Sequence, residues 1–181
     1  MNLLETIVNA QHGAPLRALA QRFHISDAQA CDALEALLPS LSTGLKQDVA
    51  TSEGLERLLT SLERDHDARF LEEPVTVERD EAEQEGAGIV DRLLSGPDAA
   101  RQAADEAARR SKMEPDLLRR MLPIVAVMAM GALAKQAEQC GIQQLRRERR
   151  DYKDLLARLG PLLEPGPLNA TPTGDGAPAN C

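Results

Sequence analysis

The chain has 181 residues and a formal net charge of −8, with 43% hydrophobic and only 2% aromatic residues. This length predicts one or two small domains. The negative charge argues against a general binder of nucleic acid or anionic membranes, because both ligands need clustered cations. A core with so few rings must be built from Leu, Ala, Ile, Val and Met, which favours close-packed helices over sheets.

Helical spacing of apolar residues predicts an N-terminal helical subdomain over residues 1–71. Ser26 followed by Gln29 is a capping-box pattern and predicts the start of a helix. The apolar face of that helix continues past Pro39, where we expect a kink or a fresh helix because proline cannot donate the backbone hydrogen bond.

Residues 72–88 differ in character from what precedes them. They read EEPVTVERDEAEQEGAG, with seven acidic residues and one basic residue, Arg79. Large apolar side chains are almost missing from this stretch. We therefore predict a solvated acidic linker over residues 72–87.

A second helical subdomain is predicted over residues 88–159, around the most apolar passage of the chain, MLPIVAVMAMGALAKQ at 121–136. The uncharged run from 122 to 134 is 13 residues long, whereas a bilayer needs about 20 in a helix. We therefore expect a buried core helix and no membrane span. The final residues, 160–181, are rich in Pro, Gly, Ala and Thr and predict a disordered tail.

Two segments, LAQRFHISDAQACDA at 19–33 and AARRSKMEPDLLRRM at 107–121, carry apolar residues at matching offsets. Each is followed by a Leu-Pro, which is Leu38-Pro39 in the first unit and Leu122-Pro123 in the second. The first unit is four residues longer before its proline, about one helical turn. We interpret the two as a diverged duplication of a helical hairpin. The predicted fold is all-α and multihelical, with two helical subdomains.

A helix-turn-helix unit of this kind raises the hypothesis of DNA binding, which requires cations on the recognition helix. The candidate helix over residues 26–38 carries Asp27, Asp32 and Glu35 and no Lys or Arg. A phosphate backbone would repel it. We therefore expect a helical corner used for packing and no specific binding of nucleic acid.

One basic cluster lies in LRRERRDYKD, residues 145–154. Its arginines stand among acidic residues, so a solvated helix face with internal ion pairs is the simple interpretation. Contact with an acidic partner is the functional alternative, and the acidic linker could itself be that partner. The candidate contact residues are Arg146, Arg147, Arg149 and Arg150.

The sequence shows no catalytic, metal-binding or cofactor-binding motif, and we expect a protein that is not an enzyme. The histidines form no HExxH, and neither a phosphate-binding loop nor a dinucleotide-binding glycine pattern occurs. The three cysteines, Cys31, Cys140 and Cys181, form no CxxC and no even framework, which fits a reducing compartment. The N-terminus lacks the basic start of a signal peptide, so a cytoplasmic location is expected.

Several apolar and glycine patterns together resemble the bacterial family called domain of unknown function 937, which includes YidB-like proteins. These patterns are LLP at 37–39 and MLP at 121–123, EGLERLLTSLERDHDARFL, GAGIVDRLLSG after the acidic stretch, and GALAKQ. The resemblance covers about residues 3–136. It implies an all-helical, two-part protein of the bacterial cytoplasm and implies no activity. The chain departs from the family by fewer glycines and by the charged helix and tail after Gly141.

The leading hypothesis from these observations is a non-catalytic protein-interaction or adaptor module with a protein partner. The alternative is a carrier or sensor of a small apolar ligand, held in a space lined by Val125, Met128 and Met130. A helix-turn-helix-like DNA-binding regulator is the third hypothesis. A homo-oligomer is compatible with the sequence.

Overall fold

The computed structural model describes residues 2–63, 69–73, 80–139 and 152–165, and these residues form helices and turns without a strand. The all-α prediction is confirmed for this part of the chain. The elements are α1 (Leu3–Asn9), a 3-10 turn (Ala10–Gly13), α2 (Ala14–Phe23), α3 (Asp27–Asp48), α4 (Ser52–Glu63), α5 (Arg69–Glu72), α6 (Asp80–Leu94), α7 (Pro97–Ser111), α8 (Pro115–Gln139) and α9 (Tyr152–Leu162).

The predicted capping box starts α3. The Ser26 hydroxyl accepts from the Gln29 backbone N–H at 3.2 Å, and the Gln29 side chain accepts from the Ser26 N–H at 3.0 Å. These bonds satisfy two donors that have no partner inside the helix. The helix then runs without a break through Pro39 to Asp48, so no fresh helix begins at that proline.

The hairpins α2–α3 and α7–α8 share local geometry. In each, the first helix follows a glycine with positive φ, carries proline in its first turn and ends on a left-handed residue, and the second helix contains an internal proline. The corresponding pairs are Gly13 and Gly96, Pro15 and Pro97, His24 and Lys112, and Pro39 and Pro123. This parallel supports the duplication, which stays a prediction.

Helix α8 lies at the centre of the protein and packs against α1, α3, α6 and α7. Every residue from Ile124 to Ala134 is buried. The helix has 25 residues, and by length and composition it is long and apolar enough to cross a bilayer. The uncharged run of 13 residues within it had not indicated this. However, 78% of its most apolar window is buried inside the protein, as in a core helix of a soluble protein.

The acidic stretch is not a linker throughout. Residues 80–94 form α6, so the linker prediction is wrong over residues 80–87. One face of α6 is buried through Ala82, Gly86, Val90 and Leu93, and its acidic residues lie on the exposed face. The acidic charge concealed this amphipathic pattern, because within residues 80–87 the buried side consists of the small residues Ala82 and Gly86. The predicted linker residues 74–79 lie outside the described residues.

Two glycines allow α6 to pack closely against helices of both predicted subdomains. A Cβ added at Gly86 would overlap the carbonyl oxygen of Pro123 in α8. A Cβ added at Gly44 in α3 would lie 2.5 Å from the carbonyl oxygen of Leu93. Helix α6 therefore approaches α8 and α3 backbone to backbone, and one hydrophobic core contains residues of both predicted subdomains.

The chain after Gly160 is packed for several more residues. Helix α9 ends at Leu162, and Leu163 is fully buried. The Ser42 hydroxyl of α3 donates to the Leu163 carbonyl, Lys46 pairs with Glu164 at 2.8 Å, and the Leu3 N–H donates to the Glu164 carbonyl at 3.2 Å. The tail prediction is therefore wrong over residues 160–165, and residues 166–181 lie outside the described residues.

Leu163→Ala is expected to lower the free energy of unfolding by about 2–4 kcal/mol, because the deleted methyl groups leave a cavity in the core. Urea unfolding followed by circular dichroism measures this loss. Leu156→Ala in α9 is the matched control, since Leu156 is only half-buried. A loss below about 1 kcal/mol in Leu163→Ala, no larger than that of the control, would show that the segment after Gly160 does not contribute to the core.

Cys31 lies in α3 with 2% of its surface exposed, and it is disulfide-bonded. The chain's other cysteines, Cys140 and Cys181, both lie outside the described residues. The cysteine spacing did not predict this bond.

Candidate functional site

The apolar residues predicted to line a ligand space are packed in the core. Val125 and Met128 are fully buried and Met130 is 1% exposed, and all three lie on α8. None of them lines any of the three clefts described below. The predicted basic contacts, Arg146, Arg147, Arg149 and Arg150, lie outside the described residues.

A surface groove lies where α6, the start of α7 and the first half of α8 meet, and we call it the three-helix groove. Its volume is about 210 Å³. The floor and walls are mostly apolar, and three charged side chains stand at its rim. The lining residues are Ala87, Val90 and Asp91 of α6, Pro97, Ala100 and Arg101 of α7, and Arg119, Leu122 and Pro123 of α8.

Local sequence explains how this groove forms. Ser95 and Gly96 both have positive φ and turn the chain from α6 into α7, and Pro97 then opens α7 with a φ already suited to a helix. Gly86 lets α6 approach α8 at Pro123. The side chains between the three helices are then small, such as Ala87 and Ala100, so space remains above the buried Leu122.

The charges at the groove rim are of both signs. Arg101 stands 3.5 Å from Asp98, and Arg119 pairs with Asp116, each within one turn of its own helix. The arginine side chains are 64% and 41% exposed. Ion pairs as exposed as these contribute little to stability, so the arginines are held loosely and are accessible from solvent.

The size of the groove indicates what it can hold. Pockets for drug-sized ligands are about 300–1,000 Å³ and bury most of the ligand, whereas the three-helix groove has only about 210 Å³. This volume suits one or two apolar side chains. Anchoring of a partner's apolar side chain in such a pocket is a common arrangement in protein interfaces.

A second cluster joins α3, α4 and α6 through Asp48, Arg57 and Arg92. The Asp48 carboxylate lies 3.6 Å from Arg57 and 3.8 Å from Arg92, and its side chain is only 11% exposed. Arg57 and Arg92 also line a cleft of about 410 Å³ together with Glu53, Glu56, Thr60 and Ser61. The cluster ties α6 to the end of α3.

Three buried atoms of this cluster lack a direct hydrogen bond: Asp48 Oδ2, Arg92 Nε and Arg92 Nη2. The set combines one acceptor with two donors, so an anion would meet the arginine but be repelled by the carboxylate. The Asp48 carboxylate and the Arg92 guanidinium lie 3.8 Å apart, close enough for direct attraction between their charges. The cluster therefore has the character of a structural ion pair.

The faces relevant to DNA binding carry mixed or negative charge. On α3, Asp27 and Asp32 are exposed, and burial together with the charge of Asp32 raises the pKa of Glu35. The turn between α7 and α8 borders a third cleft, of about 520 Å³, where Arg109 and Lys112 stand beside Asp105. Neither face presents the uniform cationic surface that duplex DNA requires.

Among the described residues, no group of three or more His, Cys, Asp or Glu side chains is placed to hold a metal ion. His66, with its neighbouring aspartates, lies outside the described residues. The chemistry that the described residues do offer is apolar contact and charge pairing. They define an all-helical protein with a buried central helix and a small apolar groove at its surface.

The chain belongs to the DUF937 family of bacterial proteins of unknown function, whose family model matches residues 5–136. This confirms the family to which the sequence patterns pointed. The match includes α6, α7 and the part of α8 that lines the three-helix groove. Comparison with curated proteins and with solved structures gave no match.

Sequence reasoning did not find the groove. Its lining residues are spread over three helices between positions 87 and 123, and singly they are ordinary alanines, prolines and arginines. The available signal was the small-residue pattern EGAG in α6, followed by Ser95-Gly96 before α7 and Pro97 at its first position. Small residues on one helix and a tight turn to the next indicate close helix packing, but they do not show which side is open.

Proposed function

We propose that this protein is a non-catalytic protein-interaction or adaptor module that binds a protein partner through the three-helix groove. The observation that supports the proposal is an apolar groove of side-chain size with exposed charges at its rim. Interfaces of this kind combine a buried apolar anchor with a polar rim. The groove lies within the part of the chain that the family match covers.

The other two hypotheses have less support from the described residues. A carrier of a small apolar ligand would need an open space around Val125, Met128 and Met130, and these side chains are packed in the core. A DNA-binding regulator would need a cationic recognition helix, and the exposed face of α3 is acidic. The proposed role therefore does not include specific binding of nucleic acid.

The cytoplasmic location expected from the sequence stays a prediction. Self-association through the groove is a further arrangement compatible with the proposal. Sedimentation of the purified protein measures it directly.

Ala87→Arg is expected to abolish partner binding without unfolding the protein. Ala87 is exposed on α6 and lines the groove, so a long charged side chain there occupies the space of an anchor at little cost to the helix. The measurement is quantitative mass spectrometry of proteins that co-purify with tagged wild-type protein and with the variant. We expect partners to fall by about tenfold or more, in line with the loss of an interface anchor.

Ala157→Arg is the matched control, because Ala157 is exposed on α9 and does not line the groove. It adds the same charge and the same side chain at another helix surface. Proteins retained by this control and lost by Ala87→Arg are the groove partners. Equal retention by the two variants would contradict binding through the groove.

A further inference from the structure

We infer that the start of α1 and the second half of α3 form a peptide-binding site, and that residues 152–165 are its removable ligand. We call these residues the C-terminal arm. The arm site consists of Leu3, Leu4, Ser42 and Lys46. The arm covers the site in the intact chain, and a protein partner that takes its place presents a leucine followed by an acidic residue. The arm site shares no residue with the three-helix groove, so the inference does not depend on the proposed function.

The arm site binds the main chain of the arm at three successive residues. Three donors of α1 and α3 reach the three carbonyl groups that follow the last residue of α9. The pairs are the Ser42 hydroxyl with Leu163, the Leu3 N–H with Glu164 at 3.2 Å, and the Leu4 N–H with Pro165 at 3.4 Å. Binding of successive main-chain groups, combined with a pocket for one side chain, is how many domains hold a peptide.

The hydroxyl of Ser42 indicates that the site is built for a carbonyl group. Ser42 is 1% exposed, and its neighbours one turn away on α3, Leu38 and Leu45, are fully buried leucines. A hydroxyl in such a place costs free energy unless a hydrogen bond satisfies it. The bond that satisfies Ser42 goes to the arm. A segment without a carbonyl at this point would leave the hydroxyl buried and unpaired.

The side chains of the arm add an apolar anchor and a charge. Leu163 is fully buried, and the Glu164 carboxylate pairs with the Lys46 ammonium at 2.8 Å. The Lys46 and Glu164 side chains are 44% and 58% exposed, so this pair selects the charge of the ligand more than it adds to affinity. The site therefore takes a leucine followed by an acidic residue.

The arm is attached in a way that lets it leave. The family match ends at residue 136, so Ser42 and Lys46 lie inside the matched unit and the arm lies outside it. Helix α9 has 11 residues and buries one face, through Leu155, Leu159 and Leu162. An element held by one helix face and one short main-chain contact can open while the central helices stay folded.

Hydrogen exchange of the wild-type protein tests whether the arm opens by itself. After correction for intrinsic rates, we expect the amides of α9 to exchange at least about tenfold faster than the buried amides of α8. Equal rates would mean that the arm opens only when the whole protein unfolds, and would overturn the inference.

The binding test uses a fluorescent peptide of residues 152–165 and full-length Leu163→Asp, whose own arm is released because the new carboxylate has no partner in the site. A reducing agent is present, so that the disulfide of Cys31 does not restrict the arm. We expect the peptide to bind this variant with a Kd at least about tenfold lower than for the wild type, whose own arm competes at high effective concentration.

A peptide with the same Leu163→Asp change is the control and should not bind. Circular dichroism shows whether the full-length variant remains helical. If it remains helical and does not bind the unchanged peptide, the arm site is not a peptide-binding site. If it unfolds, the arm is an integral part of the core and the inference is wrong.

A charge exchange tests the contacts assigned to the site. In the Leu163→Asp chain, Lys46→Glu should raise the Kd of the peptide by about threefold or more, and Ser42→Ala should raise it by about fivefold or more. Arg110→Glu makes the same charge change on the exposed face of α7 and should alter the Kd by less than about twofold. A peptide with Glu164→Lys should bind the Lys46→Glu chain more tightly than the unchanged peptide does. Failure of this rescue would refute the pairing of Lys46 with the ligand.

Discussion

Val127→Asp is expected to lower the free energy of unfolding by about 4 kcal/mol or more, because a carboxylate would be buried without a cation or a set of donors. Val127 is 1% exposed and lies in the middle of α8, with buried residues on every side of the helix. Single domains are stable by only about 5–15 kcal/mol, so the variant would be largely unfolded on heating to moderate temperature. Thermal unfolding followed by circular dichroism measures the loss.

Ala157→Asp is the control for this substitution, since it places the same carboxylate on an exposed position of α9. It should change the free energy of unfolding by less than about 1 kcal/mol. If Val127→Asp melts within a degree or two of this control, α8 is not the core of the protein. Met128→Ala, at a fully buried position, should in turn cost about 2–4 kcal/mol.

Gly86→Ala and Gly88→Ala are expected to change stability in opposite directions, although they lie two residues apart in α6. At Gly86 the added methyl group meets the backbone carbonyl of Pro123, which cannot move without shifting α8. We expect a loss of about 2–3 kcal/mol. At Gly88 no atom lies within 4 Å of the added methyl group, so the better helix propensity of alanine should stabilise the protein by about 0.5–1 kcal/mol.

The measurement is urea unfolding of the wild type and both variants, fitted with a common m-value. Each variant serves as the control for the other, since both replace glycine by alanine inside the same helix. A neutral or stabilising Gly86→Ala would show that α6 does not approach α8 at Pro123. That result would also remove one wall of the three-helix groove.

Local signals in the sequence were enough to identify most helices. The Ser26–Gln29 capping box, the first-turn prolines and the apolar run of α8 act between residues at most a few positions apart, so they can be recognised without knowing the fold. The run in α8 also showed that the helix is buried, because an apolar surface all around a helix has to be covered on every side.

Tertiary structure alone decided the role of α6. Its sequence is acidic and rich in small residues, so by composition it resembled a solvated linker. Gly86 allows backbone contact with α8 at Pro123, which lies 37 positions later, and Gly44 of α3 allows backbone contact with Leu93 of α6. The composition of a segment indicates how much apolar surface the segment itself carries. It does not show whether a neighbouring helix covers that surface.

The C-terminal boundary and the groove were also decided by distant contacts. Gly160 and Pro161 indicated the end of ordered structure, yet Leu163 is held through Ser42, 121 residues away in the chain. The three-helix groove exists only where α6, α7 and α8 meet. The sequence determined which helices form and which central helix is buried; the packing of those helices determined where a surface remains open for a partner, because that depends on distances between residues far apart in the chain.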